Sequence, residues 1–206
     1  SDEAAALYEN FLAVAPDDEI IGAALAAHQG GGTAAPMIAD VAAGLAEAFE
    51  GMAAELTQEN ALTPARNFAQ LALYLRPDLE PAMMALANTM EQEELWDLAN
   101  EVLANVQLDS PYSWAARMRT AVNLGRMDDV DGAAAILEGM ANERPNGVEA
   151  LISLGDIFRS ASRFEDSVAA YDRAVDRIDQ LSRGDWVLLY TRGTVLERSG
   201  DWDRAE

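Results

Sequence analysis

The chain has 206 residues, half of them apolar, and carries 36 acidic residues against 14 basic ones, all arginine, with no lysine and no cysteine. That length and apolar content suit one good core or two small ones and exclude a disordered tail. The charge argues against nucleic acid as a partner, the absence of cysteine removes disulfides, thiolate catalysis and sulfur-held metal, and no apolar run is long enough for direct membrane insertion.

At the N-terminal end a helical run is predicted near Ile20 to His28, interrupted by Gly30, Gly31, Gly32 and Pro36, residues unfavourable inside helices. Residues 1–45 therefore read as an irregular helical unit with a glycine-rich loop. No Gly-Lys-Ser or Gly-Lys-Thr follows the glycines, so the loop is a linker and not a phosphate cradle. His28, the single histidine, builds no zinc site alone, and no nucleophile stands at a recognised spacing from it. No catalytic residue, cofactor or metal ligand is expected anywhere in the chain.

From residue 46 a period of 34 takes over, marked first by Pro77, Pro111 and Pro145. Small residues recur at Ala53, Ala87, Ala121 and Gly155, and again at Ala65, Ala99, Ala133 and Ser167. Bulky ones recur at Leu56, Met90, Leu124 and Phe158, at Leu62, Trp96, Val130 and Phe164, and at Ala69, Leu103, Leu137 and Tyr171. Each repeat is thus expected to form two amphipathic helices of about a dozen residues. Their small faces let them approach closely, and their bulky faces interlock with the next pair. Proline, lacking an amide hydrogen, falls between pairs.

The repeats run about 46–79, 80–113, 114–147 and 148–181, with an incomplete one at 186–206. The third is the weakest, with Arg117 and Thr120 at apolar places, read as rim positions. Asp128, Asp129, Asp131 and Gly132 lack the ligand alternation of a calcium loop and read as the turn before a helix. After Asp179 the register resumes only with four extra residues, and this insertion around Leu181 to Gly184 is expected to lengthen a helix and its turn. Asp2, Tyr8, Phe11 and Pro16 fit the second half of a repeat, and Leu196 and Trp202 begin one that is cut short, so the chain is expected to be an internal piece of a longer array.

The residues Leu151, Leu154, Gly155, Phe158, Phe164, Tyr171 and Ala174 resemble the tetratricopeptide repeat (TPR) pattern of W-x2-L-G-x2-Y followed by A, F and A. The resemblance implies an all-α fold, a right-handed superhelical solenoid of antiparallel helix pairs. It also implies a non-catalytic scaffold that holds a protein or peptide on its concave face, lined by the first helix of each pair. The register places Met84, Asn88, Met118, Val122, Arg126, Ile152, Asp156, Arg159, Tyr190 and Thr194 there as the partner-binding set. Methionine and isoleucine suit adaptable apolar contact, and arginine forks onto carboxylates. The alternative is a structural array that self-associates through its open ends with no groove ligand. The stretches LYLRP, YDRAVDRI and RGTVLERSGDWDRAE are similar to parts of long TPR proteins of Gram-negative bacteria, some periplasmic or outer-membrane-associated adaptors for a carboxyl-terminal processing protease.

Overall fold

The computed structural model describes residues 2–16, 18–30, 38, 40–180 and 182–205. Among these there is no strand, and no helix is long and apolar enough to cross a membrane. The predicted loop residues Gly31, Gly32 and Pro36 lie outside the described residues. The chain divides into two compact units, Ser1–Ala116 and Arg117–Glu206.

In the first unit, α1 (Asp2–Leu12) and α2 (Glu19–Gln29) form one pair, α3 (Val41–Gln58) and α4 (Leu62–Leu75) a second, α5 (Glu80–Gln92) and α6 (Trp96–Leu103) a third. α7 (Ser113–Arg126), α8 (Val130–Glu143), α9 (Glu149–Ser160), α10 (Phe164–Asp176), α11 (Trp186–Ser199) and α12 (Trp202–Ala205) follow. α3 begins at Val41, five residues ahead of where the sequence register starts, because the Asp40 carboxylate caps it by accepting from the Ala43 amide at 2.8 Å. α6 stops early, at Leu103. The Asn105 amide donates to the carbonyls of Glu101 and Val102, and the last turn tightens to three-residue bonds.

From α3 onward every pair is closed by the same turn. Asn60, Glu94, Asp128 and Ser162 all have φ near +60°, and Gly200 has φ of 86°. The first four are 34 residues apart and the last follows the four-residue insertion. The amides one residue later, on Ala61, Leu95, Asp129, Arg163 and Asp201, donate back to the carbonyls of Leu56, Met90, Leu124, Phe158 and Leu196 at 2.8–3.0 Å. A left-handed residue reverses the chain and that six-residue bond satisfies an otherwise orphaned helix-end carbonyl. The bulky column thus supplies both an apolar side chain and the acceptor that fixes the turn.

Pro77, Pro111 and Pro145 lie between successive pairs. Ala53, Ala87, Ala121, Ala65, Ala99, Ala133 and Ser167 are fully buried. In the first unit the core gathers Met83, Leu86, Met90, Leu103 and Val106 around these alanines, with a smaller cluster at Ala46, Ala72, Leu79 and Ala82. In the second unit Leu137, Met140, Leu151, Leu154, Tyr171 and Leu196 are all but inaccessible to solvent. A side-chain carbon built on Gly155 would come within 2.5 Å of the Tyr171 ring, so only glycine fits where α9 crosses α10. The Ser167 hydroxyl donates to the Gly155 carbonyl at 2.7 Å in the same crossing.

The insertion does not lengthen a helix. α10 has 13 residues against 14 in α8, and the extra residues make a 3-10 turn, Arg183–Asp185. Ser182 and Asp185 close it reciprocally: the Ser182 hydroxyl accepts from the Gly184 amide, and Asp185 accepts from the Ser182 amide at 2.7 Å. Leu181 lies outside the described residues. The aspartate run is the turn read from the sequence, with Asp129 capping α8 through the Gly132 amide. Arg117 makes a bidentate pair with Glu143 at 2.7 Å, so the weak third repeat replaces an apolar contact between its helices with an ionic one.

Candidate functional site

The first helices α5, α7, α9 and α11 carry all the residues the register selects. In the first unit, Met84 is half-buried and packs against the core, while Asn88 is exposed and accepts from the Gln92 amide at 3.5 Å. In the second unit, Met118, Val122, Ile152 and Thr194 are half-buried, Arg126 is exposed, and Tyr190 is 65% exposed beside Trp186, with ring centroids 6.2 Å apart. The Thr194 hydroxyl turns back to its own helix, donating to the Thr191 carbonyl.

One concave feature of the second unit gathers several of these residues. An open hollow of about 470 Å³ lies between Val122, Gly125 and Arg126 of α7 and Ser153, Asp156 and Ile157 of α9. The spacing explains the gathering. Positions 122, 125 and 126 share one helical face, as do 153, 156 and 157. Of the predicted set the hollow unites Val122, Arg126 and Asp156, whereas Gly125, Ser153 and Ile157 were not selected. Their signal was present one turn from chosen residues on the same faces.

Asp156 does more than face the hollow. Its Oδ1 accepts from the Arg159 guanidinium at 2.9 Å and from the Tyr171 hydroxyl at 2.8 Å. Tyr171 is fully buried, and burial together with the bond to the carboxylate pushes its hydroxyl pKa up to about 12. The same carboxylate and the tyrosine hydroxyl raise the Arg159 pKa above its ordinary value. Arg159 is therefore anchored along α9, with its Nε buried and without a hydrogen-bond partner. A buried tyrosine hydroxyl needs a partner, and that need is what could have disclosed the tie to Asp156 from the sequence.

Among the described residues, no group of three or more acidic or histidine side chains is placed to hold a metal ion. No family model matches the chain, and no curated protein matches it. Solved structures do. The segment of MamA from residue 41 to its end, from Desulfovibrio magneticus RS-1, superposes with a TM-score of 0.63 at 16% identity, covering 78% of this chain and 88% of that one. YrrB, described as a TPR protein with an unusual peptide-binding site, gives 0.54 at 15% identity over 76% of this chain and 79% of its own. A tetratricopeptide repeat protein from Parabacteroides merdae ATCC 43184 gives 0.58 at 16% identity, over 76% of this chain and 60% of that one.

The fold is that of the tetratricopeptide-repeat proteins. On this TPR fold, the recurring left-handed turn and the buried alanine columns are the two devices that pair each first helix with its second.

Proposed function

We propose that the chain is a non-catalytic scaffold that holds a protein or peptide partner on the exposed faces of its first helices. The observation that carries this reading is the hollow in the second unit, lined by three positions that the register places on the first helices, Val122, Arg126 and Asp156. Support also comes from the likeness to YrrB, whose description includes a peptide-binding site. The resemblance to long TPR proteins extends the proposal to an adaptor that brings a client to a processing protease.

Aromatic and arginine side chains dominate interface energetics, so Tyr190 and Arg159 are the anchors to remove. Partner capture from an extract by the chain and by an Arg159→Ala, Tyr190→Ala variant is the test. The variant should bind more weakly by roughly 1 to 4 kcal/mol while keeping its helix content. Equal capture would refute binding at this face. The rival reading, association through the ends, is favoured by the exposed Leu7 and Phe11 on α1, Val14 just after it, and Trp186 and Trp202 in the last two helices. It requires sedimentation to show concentration-dependent association that the double variant leaves intact.

A further inference from the structure

Position 125 is anomalous within its own column. At the same place in the other repeats stand Thr57, Glu91, Arg159 and, after the insertion, Glu197, all with side chains that cover the surface of the first helix. Gly125 has none. A glycine inside a helix is destabilising relative to alanine, and the turn that follows does not need it, because the left-handed residue there is Asp128. Its effect on shape is direct. A side-chain carbon at 125 would sit 3.3 Å from Cδ1 and Cγ1 of Ile157, inside the hollow. The missing side chain lets Ile157 of α9 lie directly against α7, where it forms a wall of the hollow.

The hollow has an apolar interior and a polar rim. Val122 and Ile157 supply aliphatic wall, and Ser153 adds a small polar edge. At the rim stand Arg126 and Asp156, which are not equivalent toward a ligand. Asp156 already accepts two hydrogen bonds on one oxygen, from Arg159 and Tyr171. Arg126 is exposed and, like any guanidinium, carries five N–H donors, enough to serve a ligand beside another contact. The high negative charge of the whole chain does not decide the local preference, since charges more than about 8–10 Å away are screened at ordinary ionic strength.

Resting on the peptide-binding reading above, we propose that this hollow is a side-chain pocket for one aliphatic residue (Leu, Ile, Val or Met) of an extended peptide, with a neighbouring Asp or Glu of the same peptide held by Arg126. Gly125 is the residue that sets this specificity. It does so by letting Ile157 seat against α7, so a larger side chain at 125 must displace Ile157 or project into the hollow.

The probe is a library of random linear peptides displayed on phage and selected on the whole chain. Enriched peptides should share an aliphatic residue next to an acidic one. Gly125→Leu, which fills the hollow without removing any polar group, should weaken those peptides by roughly tenfold to a hundredfold. A second measurement needs no variant: the 13C-labelled δ1-methyl resonance of Ile157 should shift on titration with an enriched peptide and stay unmoved when its aliphatic residue is replaced by serine. Peptides that bind the chain but show basic neighbours, or leave the Ile157 methyl unmoved, would overturn the pocket while leaving the peptide-binding reading standing. If no peptide is enriched at all, both fall together.

Discussion

The two units are built on one repeat yet manage charge in opposite ways. The first holds nineteen acidic residues and two arginines, the second seventeen and twelve. Arg66 and Arg76 of the first unit pair with Glu93 and with Glu47 and Asp78, so most of its carboxylates have no arginine to meet. In the second unit arginines bridge one repeat to the next: Arg173 to Glu138 at 2.6 Å, Arg163 to Asp131 at 2.7 Å, Arg192 to Asp172 at 2.6 Å. Arg177 adds hydrogen bonds to the carbonyls of Arg144 and Gly147. The comparison teaches that the apolar columns stack the pairs of the first unit with few ion pairs between them. The ionic layer is a separate device, laid over one unit and nearly absent from the other.

The largest expected effect concerns the helix crossing that recurs within each unit. Where the second unit crosses Gly155 with Tyr171, the first uses Ala87 with Leu103. Gly155→Ala should cost about 2 kcal/mol, because the added methyl meets the rigid tyrosine ring in a close-packed site. Adding Tyr171→Leu, which imports the first unit's solution, should recover part of that loss. Thermal unfolding of the single and double variants measures it, and purely additive losses would show that the two crossings are not interchangeable.

A smaller effect separates the units by pH and salt. In the first unit, burial and the neighbouring Glu47 raise the Glu50 pKa. Its folded form therefore holds the proton more tightly, and stability rises as pH falls through that raised value toward the unfolded one, below which the gain is complete. In the second unit the Glu138 and Glu143 carboxyls are held low by hydrogen bonds from Arg173 and Arg117. Burial opposes the same lowering at Asp172, but Arg192 and Arg204 outweigh it. Depressed carboxylates contribute stability above their unfolded value of about 4 and lose it as pH falls through the folded one. Amide exchange, corrected for intrinsic rate, should show the first unit gaining protection on mild acidification, while the second is unchanged until below roughly pH 4. Added salt should protect the first unit and loosen the second. Parallel responses would dissolve the contrast.

The smallest effect tests the turn that both units use alike. A left-handed non-glycine residue costs about 1–2 kcal/mol, and glycine gives back part of that through its own flexibility. Glu94→Gly in the first unit and Ser162→Gly in the second should each stabilise by roughly 0.5 kcal/mol, and Asn60→Gly or Asp128→Gly by less, since Asn and Asp tolerate this backbone better. Denaturant midpoints check the order. A larger gain at Asn60 than at Glu94 would contradict it.

Much of the fold was legible because steric rules constrain letters. A residue between tightly crossing helices must be small, and a residue between pairs must do without a helical amide, so alanine and proline mark their columns. The turn was not legible, because one backbone condition was met at five places by four different polar residues and one glycine: Asn60, Glu94, Asp128, Ser162 and Gly200 share a left-handed φ, not a letter. The 3-10 turn was closer to hand, since Ser182 and Asp185 stand at capping-box spacing. For the site, the register found the helical face but not the hollow. A missing side chain leaves no apolar signal, and the orientation of Arg159 depends on a tyrosine hydroxyl fifteen positions from Asp156, on the second helix of the pair.

Asp172 accepts from Arg192 with one carboxylate oxygen and from Arg204 with the other, both at 2.6 Å. α12 has only four residues and no buried side chain, too short to persist by its own backbone bonds. One carboxylate on α10 thus ties two later helices to the preceding pair, but α11 is also held by its buried Leu188, Val195 and Leu196. Under tension pulled from the C-terminal side, α12 would be released first, when its ionic tie opens, and α11 only when its core contacts break.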